Sequence, residues 1–248
     1  MRTAGVDLAA EAKGTALAVI EWTAGAATLV ELQLGVADGP IVEAAAGVDK
    51  LGIDCAFGWP DAFVRFVAAH ADGAPGAAPV DGGMEWRRTL AYRETDRQAR
   101  AVTGRWPLSV STDRLGLTAM RCAGLLARLH EAGFDVDRSG SGRVAEVYPG
   151  AGLRLWGLDT AGYRVDAEAR RRLLGRLTGE AHWLDLAGFE ERMIASGDAF
   201  DAVVAALEAR ASALGRATAP PPEHLAQARR EGWIALPTVP LRDLANPA

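Results

Sequence analysis

The chain is predicted to fold as a three-layer α/β domain on a mixed sheet, antiparallel strands first and parallel ones after, flanked by helices. Three short apolar runs between residues 3 and 34 are separated only by the turns AEAKG and TAG, the spacing of an antiparallel meander. A helix-length segment then leads into another apolar run, and a strand reached through a helix lies parallel to the strand it joins. Beyond residue 60 the pattern is largely helical, with one further strand-like run near residue 146.

In order, strands are expected at 3–10, 14–22 and 26–34, an Ala-rich helix at 40–48, and a fourth strand in KLGIDCAF (50–57). Gly58-Trp59-Pro60 ends that strand, because proline cannot continue a ladder. A helix at 61–70 gives way to a Gly/Pro/Ala-rich loop at 71–83, and 84–105 reads as a charged helix or helix pair. An apolar helix covers 115–133, RVAEVYPGA (143–151) supplies a fifth strand, and two or three helices follow over 168–213 until APPP (219–222). The tail would expose Trp233, Ile234 and Leu236 unless it packs back. The organisation expected is one domain over 1–216 with a helical insertion at about 61–110, and a C-terminal tail at 217–248.

At 248 residues and 49% hydrophobic content the chain can bury a substantial core. It contains no apolar run of membrane-spanning length and no basic-then-apolar leader, which predicts a cytoplasmic protein away from membranes. Cys55 and Cys122 have no metal or disulfide spacing and read as small buried residues. A net charge of −5 argues against a protein that coats nucleic acid. Local recognition stays open, helped by a partner or a homodimer, since Arg87, Arg88, Arg93, Arg97, Arg100 and Arg105 cluster together.

The acids carry the chemistry. Asp7 and Asp54 lie inside strand-like apolar runs, and a buried carboxylate is costly unless paired or metal-bound. Alternation turns Asp54 to the face opposite Ile53, Cys55 and Phe57, with Gly52 and Ala56 beside it. Asp198 and Asp201, three apart in GDAFDAVVAALEAR, share a helix face; read alone, they are equally an N-cap and an acidic third residue of the first turn. Four convergent carboxylates repel one another, and two Mg²⁺ or Mn²⁺ ions are the expected cofactors. Glu146, before Tyr-Pro, either supplements that metal set or pairs with an arginine. Lys13 and Thr15 are phosphate neighbours or merely a polar hairpin, and Arg93, Asp96 and Arg97 form a phosphate fork or a solvated face. His70, His130, His182 and His224 show no ligand or nucleophile spacing.

Taken together, GVDLA (5–9), IDCAFGWP (53–60), YRETDR (92–97), EVYPGA (146–151), DAFDAVVAALEAR (198–210) and EGWIALP (231–237) resemble the family called domain of unknown function 429, described as predicted nucleases with an RNase H fold. The resemblance implies an RNase H-like fold with acids on the first strand, the fourth strand and the closing helix around two metal ions. Asp7, Asp54 and the Asp198/Asp201 pair match that plan, and the D-x-x-D helix opening is similar to RuvC-type resolvases, which usually carry Glu where this chain has Asp54. The expected function is a metal-dependent nuclease acting on DNA or RNA. Asp7 bridges both ions, Asp54 and Asp201 each hold one, Asp198 completes the shell, and Arg93 or Arg97 neutralises the scissile phosphate. The alternatives are an actin-like or sugar-kinase-like ATP-binding phosphotransferase, which uses the same superfamily fold, and an inactive RNase H-like binding domain.

Overall fold

The computed structural model describes residues 1–74, 76–79 and 82–246. Positions 75, 80 and 81 of the loop expected at 71–83 lie outside the described residues, as do 247 and 248 of the tail.

Strands β1 (Arg2–Asp7), β2 (Ala16–Thr23) and β3 (Ala26–Leu34) form the antiparallel meander. Helix α1 (Asp38–Ala46) returns the chain to β4 (Lys50–Asp54), which lies parallel to β1 as the crossover geometry predicts. Helices α2 (Asp61–Ala71), α3 (Gly83–Ala91), α4 (Glu94–Thr103) and α5 (Gly116–Glu131) precede β5 (Val144–Glu146), which is parallel to β4. Then come α6 (Pro149–Leu155), α7 (Ala167–Glu180), β6 (Leu184–Asp185), α8 (Glu190–Ala195), α9 (Gly197–Ala213) and α10 (Leu225–Glu231). The six-stranded sheet has the order β5-β4-β1-β2-β3-β6, a mixed sheet flanked by helices.

The sequence reading overran three strands, the first of which ends at Asp7 instead of residue 10. The fourth ends at Asp54 instead of Phe57, because the chain leaves the ladder there and the Phe57 amide donates to Glu146 Oε2 at 3.0 Å. The fifth stops at Glu146, and Pro149 opens α6, where its missing N–H and fixed φ suit a first helical turn. Strand β6 was not foreseen; two residues beside β3 are too short for a periodic signal.

Two apolar layers enclose the sheet. On one face, Ala4, Val6, Leu51 and Ile53 pack with Ile41 of α1 and Leu125 and Leu129 of α5. On the other lies α9, itself covered by α6, α7, α8 and the tail residues Leu241 and Leu244. Every residue of α9 from Ala199 to Ala211 is buried, as expected of a helix enclosed on all sides. The tail returns as an extended segment whose Ala235 amide donates to the Glu146 carbonyl at 2.8 Å, and Trp233, Ile234 and Leu236 are buried.

Close packing sets the depth of α9. Gly5 and Gly52 are register partners on β1 and β4. A Cβ on Gly5 would fall 2.1 Å from the Ala206 amide nitrogen, and one on Gly52 would fall 2.7 Å from the Ala205 carbonyl oxygen. Helix and sheet backbones therefore touch where these glycines face the small residues of α9. Replacing Gly5 with Ala is expected to destabilise the fold by about 3 kcal/mol or more, since backbone must move. By contrast, Gly124→Ala on α5, with open space around its Cα, is expected to gain about 0.5–1 kcal/mol. Thermal melts of the two variants check both signs.

Candidate active site

Alternation along β1 turns Thr3, Gly5 and Asp7 to the α9 face, and the same rule places Gly52 and Asp54 of β4 there. Asp7 and Asp54 are direct register partners at the C-terminal ends of adjacent parallel strands. The first turns of α9 bring Asp198 and Asp201 to the same end. Ser196, and not Asp198, is the N-cap: its hydroxyl accepts from the Ala199 amide at 3.2 Å. Neither aspartate is used up as a side-chain cap.

Burial raises the pKa values of three of these carboxyls, and repulsion among the acids adds to the effect. Asp7 is held well above the usual carboxylate range, first by desolvation and then by Asp54, Asp201 and Asp198. Asp54 is pushed up to about 7 by desolvation and then by Asp201, with Arg164 opposing. Asp201 rises to about 6 through desolvation, against the Arg164 charge and a hydrogen bond from Tyr163.

Tyr163 and Arg164, in the turn before α7, are the site residues that sequence reasoning missed. The Tyr163 hydroxyl donates to Asp201 Oδ1 at 2.9 Å, and Arg164 Nη2 lies 3.4 Å from Asp201 Oδ2. The turn is fastened from behind: buried Arg170 of α7 donates to the carbonyls of Tyr163, Ile194 and Ala195. Only the adjacency of an aromatic and a basic residue in GYRVD could have flagged the pair, because no period places that turn against α9. A second overlooked acid, Glu208, is fully buried two turns further along α9 and accepts from the Tyr148 amide at 3.0 Å. Desolvation, followed by the charge of Asp54, raises its pKa well above the ordinary value.

A cavity of about 250 Å³ opens over this end of the sheet, lined among others by Asp7, Asp54, Arg93, Glu146, Tyr148 and Arg164. Two of its charged groups neutralise each other. Arg93, expected to hold phosphate, is buried and directs its guanidinium to Asp96 Oδ1 at 2.9 Å and Glu146 Oε1 at 2.7 Å. It also donates to the Glu231 carbonyl at 3.0 Å. Glu146 therefore takes the arginine-paired role instead of the metal-ligand one, because both its oxygens are engaged by Arg93 and the Phe57 amide. The remaining phosphate candidates stand apart from the cavity. Lys13 is exposed and paired with Glu11 at 2.7 Å, and Arg97 pairs with Glu94 at 3.2 Å. Thr15 is buried in the hairpin, accepting from Arg121 at 2.6 Å.

The donor chemistry of Asp7 and Asp54, hard oxygens of like charge, suits Mg²⁺ or Mn²⁺. Among the described residues no group of three or more Asp, Glu, His or Cys side chains forms a ready cage, and Asp201 is engaged by Arg164 and Tyr163. Two carboxylates are nevertheless a sufficient protein contribution for Mg²⁺, which keeps waters and recruits substrate phosphate oxygens. Also among the described residues, no helix is long and apolar enough to cross a membrane.

A family model described as "Protein of unknown function (DUF429)" matches residues 5–225, so the chain belongs to that family. No curated protein and no solved structure matches it.

Two predictions separate strained from satisfied acids. A raised carboxyl pKa favours the folded state below the unfolded value near 3.8, and that advantage is lost as pH climbs through the folded value of about 7. Asp54→Asn should therefore raise stability at pH 8 by roughly 2–4 kcal/mol and much less at pH 5, read as a widening gap between the melting temperatures of variant and wild type. Arg93→Met, which leaves Glu146 and Asp96 buried without their cation, should cost about 3–5 kcal/mol and lower the melting temperature by about 6 °C or more.

Proposed function

We propose that this DUF429 protein is a divalent-metal-dependent nuclease that hydrolyses phosphodiester bonds of nucleic acid. The observation that supports this reading is the register pairing of Asp7 and Asp54, with Asp201 close enough to raise the pKa of both, at the edge of a cavity open to substrate. Acids strained in this way, with one half-exposed arginine as counter-charge, form a site that gains by taking up cations.

Asp7 and Asp54 would hold the metal through carboxylate oxygens, Asp201 would join them if Arg164 released it, and Asp198, at the start of the same helix, would complete the set. When bound, two Mg²⁺ or Mn²⁺ ions supply an activated water and neutralise charge on the scissile phosphate. Arg164, whose side chain is 55% exposed, turns from Asp201 to a phosphate oxygen. Tyr163 keeps Asp201 oriented throughout, since burial raises the hydroxyl's own pKa and the phenol stays protonated. Asp54 and Asp201 would have to lose their protons to act as ligands, so apparent metal affinity would strengthen as pH rises through about 6 and 7.

The phosphotransferase alternative draws less support. Its best candidate for a phosphate-binding glycine turn, Gly150 to Gly152, lies inside α6, and a Cβ on Gly152 would fall 2.0 Å from Glu208 Oε1. That glycine makes room for a buried carboxylate, not for a phosphate. The inactive-domain alternative needs the acids as caps, a task that Ser196 performs.

Asp7→Asn is expected to abolish Mn²⁺-dependent cleavage of a labelled oligonucleotide while leaving the circular dichroism spectrum unchanged and the melting temperature equal or higher. Cleavage retained by that variant overturns the assignment.

A further inference from the structure

A second cleft of about 260 Å³ adjoins the acidic cavity, sharing Tyr148 and Arg164 with it. Its character is opposite. Arg105, Arg154 and Arg164 line it, and no carboxylate does. In a chain of net charge −5 such local positive charge requires a reason. Arg154 supplies the sharpest one: its Nε and Nη2 atoms are buried and have no hydrogen-bond partner among the described residues. Unused buried donors on a cation are costly, and Nη1, 3.7 Å from where a Cβ on Gly150 would stand, is the atom the side chain leaves toward the cleft for an anion.

The surroundings keep Arg154 where it is. Its guanidinium carbon lies 5.7 Å from the Tyr148 ring centroid, and that of Arg164 lies 5.9 Å from the Tyr163 centroid, so two aromatic rings back two cations. Gly150 leaves open the space between Tyr148, Tyr163 and Arg154, each 3.5–3.7 Å from where a Cβ would stand. Basic groups interleaved with aromatic rings in a narrow groove are the equipment that tracks a single strand.

We infer that this cleft binds the phosphate next to the scissile one on single-stranded nucleic acid, with Arg154 and Arg105 supplying the positive charge. Resting on the nuclease reading above, the inference gives that reading a substrate class. Asp7 and Asp54 line a cavity of only about 250 Å³, which a single strand enters with far less bulk than a duplex. Arg164, common to both clefts, spans the step from one phosphate to the next.

The test is fluorescence anisotropy of a labelled single-stranded oligonucleotide on full-length protein, with Ca²⁺ present and over a series of salt concentrations. Arg154→Gln should weaken binding about tenfold or more and lower the slope of log K against log salt by about 0.7, one lost contact on a single strand. Exposed Arg105→Gln, which leaves the core untouched, should give a smaller loss in the same direction, and unlabelled duplex or a nucleoside monophosphate should compete at least tenfold more weakly than unlabelled single strand. If both variants bind as wild type does while remaining folded, the cleft is not the strand path. Equal competition by duplex or by mononucleotide likewise overturns the substrate class. The two readings fail separately: arginine-dependent binding without any cleavage refutes the nuclease and keeps the cleft, whereas cleavage with binding indifferent to Arg154 and Arg105 refutes the cleft alone.

Discussion

The contact of α9 with the backbones of β1 and β4 governs the rest of the molecule. Gly5 and Gly52, paired across the two strands, present no side chain to the helix, and α9 answers with Ala202, Ala205, Ala206 and Ala209. Dispersion forces fall steeply with separation, so this near-contact gives a dense interface from the smallest residues available. It also fixes where the helix begins relative to the strand ends. Asp201 stands beside Asp7 and Asp54 because the helix cannot sit higher, and the repulsion among the three follows from that depth.

Two acidic clusters lie within one cavity, and the contrast between them is informative. Asp96 and Glu146 share the buried Arg93, and Glu146 also accepts a backbone amide, so their charges and lone pairs are met. The same strut reaches the C-terminal segment, where Glu231 accepts from the Asp61 amide at 2.7 Å and the Glu94 amide at 3.1 Å, the first residues of α2 and α4. One carboxylate thereby answers the dipoles of two helices and fastens the C-terminal segment to both. Among the described residues Asp7 and Asp54 have no comparable partners: Arg164 is their main relief, and it is already engaged with Asp201. Burial raises the pKa of Glu146 as well, but there the Arg93 charge and the Phe57 amide oppose it, whereas Asp7 is raised further by three neighbouring acids.

Much of this was legible along the chain because it depends on period and local chemistry. The strand alternation that turned Asp54 away from Ile53 also determined that it faces α9, and the meander's turns named themselves. The three-residue separation of Asp198 and Asp201 gave a shared helix face with no tertiary information. Reading failed where a residue's partner is distant in sequence. Arg93 read as a phosphate fork or a solvated face, and Glu146 as a spare ligand or the partner of an arginine that the sequence did not name; that these two, 53 residues apart, meet depends on how α4 docks beside β5. Ser196, the actual cap, went unnoticed beside the more conspicuous Asp198.

By itself the sequence determined the mixed sheet, the order of its first five strands in the chain, the acids on the first and fourth strands, and membership of the aspartate pair in one helix face, all properties of spacing within an element. Only the tertiary structure decided which charges are neutralised. Arg93 went to Glu146 and Asp96, Arg164 and Tyr163 went to Asp201, Glu208 was buried against α6, and Arg154 was left with buried donors unused. The reason is physical: a charge's partner is set by distances of a few ångströms between elements far apart in the chain, and those distances follow from packing depth, which no period in the sequence encodes.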